Sequence, residues 1–349
     1  MSRFPTSPLN RREALALTAG GAALAALPAA IRPAQAQAAT PGALMVERAQ
    51  RVLGLLDEPQ VESVRFGFDS ATRRAWDYMI GSAVPTGLPL EQMTAEQKDA
   101  AMDLLATALS PSGLVMAERI MLQQDILRDE WGKGSPTRNS ERFSLTVYGE
   151  PGDGPWAWRW EGHHLTLSLT LVGDRVVSVT PNAFASEPNT VPSGPHAGMV
   201  VLEEEEMLGR QLFADLAQPN RDRALLREAS FGNVLTTAGN ERRFGNDRAG
   251  VPLADLPQAQ ADLAVRLIEV YAVDPLTTAL AEEQSARIRE GDLMATRFGW
   301  AGADLDGPSI YYRLHGDTFV IEFATVRNQP QHLHTIRHDP ERNLGNHAV

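Results

Sequence analysis

The chain has 349 residues, no cysteine and a formal net charge of −12, with 44 acidic against 32 basic side chains. That acidity excludes nucleic acid and anionic membrane surfaces as partners, because both repel it, and leaves neutral or cationic small molecules and metal ions. The missing cysteines exclude a disulfide framework and thiolate metal centres, so packing and any bound ion hold the fold through other groups.

Residues 1–38 have the composition of an export signal. Arg11 and Arg12 precede an Ala/Leu/Gly stretch, and Ala34-Gln35-Ala36 and Ala36-Gln37-Ala38 both fit a small-residue cleavage site. Paired arginines point to the twin-arginine route, whose machinery is then a transient partner and which exports proteins already folded. Gly20, Gly21 and Pro28 interrupt the alanine-dominated run, which argues against a membrane anchor and against stable insertion after cleavage. A periplasmic or secreted protein is expected. The removed segment carries a net +3, so residues 39–349, read as a single domain, stand near −15.

Residues 41–131 read as helical. Leu44, Val46, Val52, Leu53 and Leu56 have helical spacing up to Pro59, and Thr94-Ala95-Glu96-Gln97 is a capping-box pattern ahead of an amphipathic stretch to Leu109. Leu114 to Trp131 follows the break at Pro111. From Arg142 the period becomes two: residues 142–180 form strands, with Gly173-Asp174 as a hairpin turn. Trp156, Trp158 and Trp160 take one strand face and Leu165, Leu167, Leu169 and Leu171 the other. Residues 181–198 read as a long Pro/Gly/Ser loop of functional length. Residues 202–291 return to helices, with Glu203–Glu206 a solvated helix N-terminus, and 292–338 to strands. The expected fold class is α+β: an antiparallel sheet with a largely helical N-terminal part and helices covering the sheet.

Eight histidines are unevenly placed, five of them from His315 onward. His332 and His334 of Gln-His-Leu-His alternate in a strand, so both imidazoles share a face and can bind one ion. In Trp-Glu-Gly-His-His, Glu161 and His163 share one face and His164 the other, unless Gly162 marks a bulge. Two remote strands each carry imidazoles where packing prefers apolar groups. His163 or His164 should therefore lie close to His332 and His334, with Glu161 or Glu322 lining the same cavity beneath loop 181–198. The candidate metal ligands are His163, His164, His332, His334, Glu322 and Asp339, and the ion is zinc or copper. Glu161 is the candidate general base, and Arg337 or Arg327 the group that stabilises negative charge. The tryptophan stripe covers a sheet face, or stacks on a flat ligand. No nucleophile-elbow, phosphate-loop or dinucleotide-binding pattern is present.

Several of these segments carry a resemblance: PWAWRWEGHHLTLSL, SVTPNAFASEP, SGPHAG, LEEEE, TAEQKDAAMDLLATALSPSGL and YYRLHGDTFVIEFATVRNQPQHLHTIRHDP. Together they resemble the family called domain of unknown function 3500, from about Phe66 to Gly345. The resemblance implies an exported bacterial protein and no particular reaction. Where that family usually has an acidic-amide pair this chain has Ala324 and Thr325, and where it usually reads Asn-His-Ile-His this chain reads Gln331 to His334. The leading expectation is an exported metal-dependent hydrolase acting on a small molecule. The alternatives are a copper-type redox protein and a periplasmic binding or scaffold protein whose ligand cleft is formed by the tryptophan stripe and loop 181–198.

Overall fold

Helix α1 (Pro41–Leu55) starts where Thr40 caps the amide of Ala43. The computed structural model describes residues 39–79, 87–129, 138–245, 247–302, 307 and 309–348; the export signal read in 1–38, like Trp131, lies outside them. Pro59 does not end the first helix but sits near the start of the next, α2 (Glu58–Val64), where its fixed φ and missing N–H cost nothing. Thr94 and Gln97 form the expected reciprocal cap of α3 (Ala95–Ala106), and Pro111 opens α4 (Pro111–Asp129). Later come α5 (Glu203–Asp215), α6 (Asn220–Ala224), α7 (Gln258–Ala272) and α8 (Thr278–Arg289).

The strands are β1 (Arg65–Phe66), β2 (Leu88–Pro89), β3 (Ser144–Glu150), β4 (Asp153–Gly162), β5 (Leu165–Val172), β6 (Arg175–Ser178), β7 (Asn182–Ser186) and β8 (Leu225–Arg227). The rest are β9 (Val251–Pro252), β10 (Arg297–Ala301), β11 (Tyr311–His315), β12 (Val320–Val326) and β13 (Gln329–His338). The described residues thus form a mixed structure of eight α-helices and one mostly antiparallel 13-stranded sheet, with the order β1-β3-β4-β5-β7-β13-β12-β11-β10-β8. No helix among them is long and apolar enough to cross a membrane.

Two sequence readings are corrected here. Residues 181–198 are not all loop, since Asn182–Ser186 forms the buried strand β7 between β5 and β13. The tryptophan and leucine rows do not oppose each other across the sheet. The two-residue turn at His163-His164 pairs Gly162 with Leu165, which sets Trp160 beside Leu167, Trp158 beside Leu169 and Trp156 beside Leu171 on one face. The three tryptophans are fully buried there, so the stripe is core and offers no platform to a ligand. Each contributes on the order of 4–6 kcal/mol of transfer free energy as an upper bound. Gly162 is in regular register and makes no bulge; a Cβ there would stand 2.3 Å from the Phe143 ring, so the glycine allows close approach.

The two sheet faces differ in kind. The face carrying Trp158, Leu167, Phe184, Leu333 and Phe323 packs against Met45 of α1, Leu104 of α3, Ile120 of α4, Phe213 of α5 and Leu267 of α7. The opposite face carries Thr146, Arg159, Glu161, Thr166, His334, His338, Glu322 and Arg313, all buried. Trp76 and Tyr78 of segment 67–79, and Val234 with its neighbours in 228–240, pack on that polar face around Ala183, Ala185, Ala324 and Ile336. Irregular backbone suits a polar face, because its free amides and carbonyls need partners that apolar strands cannot give.

Candidate metal centre

Both histidine segments meet at β7. Ala185 of β7 lies opposite His334 of β13, and its N–H donates to the carbonyl of His164 at 2.8 Å. The N–H of His164 donates to the carbonyl of Tyr78, also at 2.8 Å. These two bonds hold His164 at φ 73°, a left-handed conformation that costs a non-glycine residue energy and persists only where its surroundings enforce it. The strained turn throws the His164 imidazole towards β13.

There it completes a triad. His164, His332 and His334 each offer a nitrogen, and these nitrogens all lie within 4.8 Å of one another. His332 Nε2 is 3.0 Å from His164 Nε2 and 3.0 Å from His334 Nε2. A tetrahedral zinc with Zn–N near 2.05 Å has ligand–ligand edges of roughly 3.3 Å, so small ring rotations reach that geometry. His164 and His334 are buried, while the His332 side chain is 14 % exposed and forms the open side.

The protons can be placed. Asn233 Oδ1 accepts the N–H of Val234 at 2.8 Å, which identifies that atom as oxygen. The same oxygen is 2.7 Å from His334 Nδ1, so Nδ1 carries the proton and Nε2 presents a lone pair to the cluster. His332 Nδ1 faces Gln329 Oε1 at 3.2 Å and the Glu187 carboxylate at 3.8 Å, acceptors both, so its Nε2 is also a lone pair. Two imidazole lone pairs therefore face each other at 3.0 Å. Burial pushes the His334 pKa down to about 3, and that of His164 well below its ordinary value, so neither of these two rings takes up a second proton near neutrality. A metal cation relieves the contact.

The other nominated residues are elsewhere. His163 turns away from the triad: its Nδ1 is 2.6 Å from Gln124 Oε1 of α4, and its ring stacks on His164 with centroids 3.6 Å apart. Burial, and then the charge of Arg138, push its pKa down to about 2. Glu322 is not grouped with the triad, and both its oxygens are engaged. They accept the N–H groups of Leu235 (2.9 Å) and Thr236 (2.8 Å), the Thr236 hydroxyl and the Tyr311 hydroxyl (2.7 Å). Asp339 is not grouped with the triad either and is held by Arg287 through two hydrogen bonds at 2.8 and 3.2 Å. Arg337 alternates with His334 and His338 along β13 and so lies on the opposite, apolar face, bonded to Gln284 of α8. Glu161 shares the triad's face but is ion-paired with Arg159 at 2.6 Å and accepts the Asp77 N–H at 3.3 Å. Of the Glu203–Glu206 run, Glu205 is buried rather than solvated, and burial pushes its pKa up to about 8.

Sequence reasoning missed Asn233, Tyr78, Gln124, Glu187 and Arg138. Ser-Phe-Gly-Asn at 230–233 signals a turn, but nothing in it points to a histidine a hundred residues on.

His338 shows how this face handles a histidine without an ion. Its Nε2 donates to the Thr236 carbonyl at 2.6 Å and its Nδ1 accepts from Asn343 at 3.0 Å. Both nitrogens are used in the neutral form, and burial pushes the pKa down to about 4. The unfolded chain takes up this proton near pH 6.5, before the native one does. The contribution of His338 is therefore complete above pH 6.5 and is lost as pH falls towards 4, at about 1.4 kcal/mol per pH unit. Urea midpoints at pH 7 and pH 5 are expected to differ more for the natural protein than for His338→Gln; equal differences would remove His338 from the acid response.

A mixed α/β chain with a buried three-histidine centre on the polar face of its sheet is the class that fold and site define. Residues 38–346 match the family model described as protein of unknown function (DUF3500), and the chain belongs to that family. No curated protein and no solved structure gives a significant match.

Proposed function

We propose that the protein is an exported metal-dependent enzyme, hydrolytic in its chemistry, working on a small-molecule substrate at His164, His332 and His334. One observation carries the proposal: the Nε2 lone pairs of His332 and His334 face each other at 3.0 Å, each fixed from behind by an acceptor at Nδ1. Neutral imidazoles with Nδ1 bonded to oxygen are the form in which histidine binds metals. Three protein nitrogens leave a fourth position free, as in catalytic rather than structural zinc sites. A divalent ion supplies a Lewis acid there, together with water acidified towards neutrality. The rim is charged. Arg138 lowers the pKa of both His163 and His164 and is 3.3 Å from Glu187, so a fixed cation stands beside the centre where negative charge would develop. The export reading rests on the composition of residues 1–38.

Elemental analysis of the purified protein, with a panel of ester, amide and phosphoester substrates, tests this. Near one equivalent of zinc is expected, with any hydrolysis lost on chelation and restored by zinc. An all-imidazole set also suits copper, so a copper electron-spin signal with no hydrolysis would move the protein to the redox class. Metal-free protein that resists loading would end both readings.

A further inference from the structure

The triad's electronic form is set from the loop 230–236, although none of that loop belongs to the ligand set. Asn233 Oδ1 lies 2.7 Å from His334 Nδ1 and keeps the ring's proton on the nitrogen facing away from the cluster. Asn233 is itself held at both ends. Its Oδ1 accepts from Val234, and two residues further on the backbone is clamped by Glu322, which takes the N–H groups of Leu235 and Thr236. Glu322 stands on β12, next to the strand that carries His334, and it also accepts from the Thr236 hydroxyl and from Tyr311 of β11. The Tyr78 ring meets His334 edge-on, with centroids 5.1 Å apart and planes at 82°, which limits rotation of the imidazole from its other side.

We propose that Asn233 is a positioning residue for the metal centre, and that Glu322 sets its position, so that affinity for the ion is tuned from a loop and a carboxylate that do not bind it. The inference rests on the metal-centre reading. The chemistry is simple. With Asn233 present, His334 keeps its proton on Nδ1 and presents a lone pair at Nε2. Without it, the proton moves to whichever nitrogen finds an acceptor, and the nearest is His332 Nε2 at 3.0 Å. A proton there occupies the orbital the metal needs and must be moved before the ion can bind.

The test has two readouts. Zinc affinity is measured by competition with a chromophoric chelator on the full chain and on Asn233→Ala, Asn233→Asp and Glu322→Gln. The tautomer of His334 is read in metal-free protein from the ¹⁵N shifts of its ring. Asn233→Ala is expected to bind zinc about 10- to 100-fold more weakly, the usual effect of removing a ligand's hydrogen-bond partner. Its His334 is expected to move to the Nε2–H form. Asn233→Asp keeps an oxygen at the same place and should restore affinity and tautomer. Glu322→Gln preserves volume, cannot accept both amide protons, and should lose affinity in the same direction. Unchanged affinity and tautomer in Asn233→Ala would overturn the proposal, as would a loss that Asn233→Asp fails to repair. Should wild-type protein bind no zinc while Asn233→Ala still switches the tautomer, the positioning role stands and the metal reading falls.

Discussion

Replacing His332 and His334 together by alanine is expected to abolish tight binding of divalent metal while leaving the metal-free fold close to its natural stability. The two effects separate because the rings repel each other without an ion. Their facing lone pairs at 3.0 Å cost energy without an ion, and removing them offsets part of the packing that the two rings lose. A bound ion stabilises the native state by mass action, by about 4 kcal/mol at a thousandfold excess over Kd. Thermal unfolding with and without zinc should therefore differ by several degrees in the natural protein and not at all in the double variant. A variant that unfolds as readily as the natural protein and is still stabilised by zinc would place the metal elsewhere.

The second large effect concerns segment 67–79. Arg159→Ala is expected to destabilise the protein by about 3–5 kcal/mol at neutral pH, because it strands a buried carboxylate. Arg159 is 1 % exposed, pairs with Glu161 at 2.6 Å and donates to the carbonyls of Thr72 and Arg73 at 3.3 Å. Burial pushes Glu161 up to about 7 even with Arg159 pulling the other way, against an ordinary value of 4.5. Without the arginine it must rise further. The native state then holds a proton that the unfolded chain has already released, so the variant's stability falls as pH rises from 4.5 through the native pKa. Urea midpoints at pH 5 and pH 8 check this. The defect should be largest at pH 8, and an equal loss at both values would show that Glu161 is not the group responsible.

How much of this was legible follows from periodicity. His332 and His334 share a face because strand parity is strict. The choice between His163 and His164 was not legible, since a two-residue turn with positive φ breaks parity where the residues sit. For the same reason the tryptophans and leucines were assigned opposite faces: hairpin register, not strand spacing, decides how two rows meet. β7 was hidden in a run of prolines and serines because five buried residues flanked by turn formers have too little length for a period to show. The sequence marks the carboxylates as special without showing what they bond. Glu161 and Glu322 look like catalytic acids in a string of letters. In the fold they bind backbone amides of the irregular segments 67–79 and 228–240, and only pairing across the sheet could tell the two uses apart. Asn233 left no trace, since irregular segments carry no repeating signal.

On the metal-centre reading, the insertion of β7 between the His163-His164 hairpin and β13 would also govern when the protein could acquire an ion. His164 and His332 are 168 residues apart, and β13 is the last strand in the chain. Until β7 has paired on both edges, the chain offers only the two histidines of β13, a bidentate site with little hold on a metal. Contacts of such long sequence separation form late, after loop closure has been met by other pairings. Metal capture would then be an event of the finished fold, and the ion taken would be set by the pool present where synthesis and folding end, more than by intrinsic affinity order. A chain that folds before crossing a membrane would carry its cytosolic choice of metal with it. One refolded outside the cell would sample a different pool, and the two preparations would differ in content while sharing every coordinate of the protein.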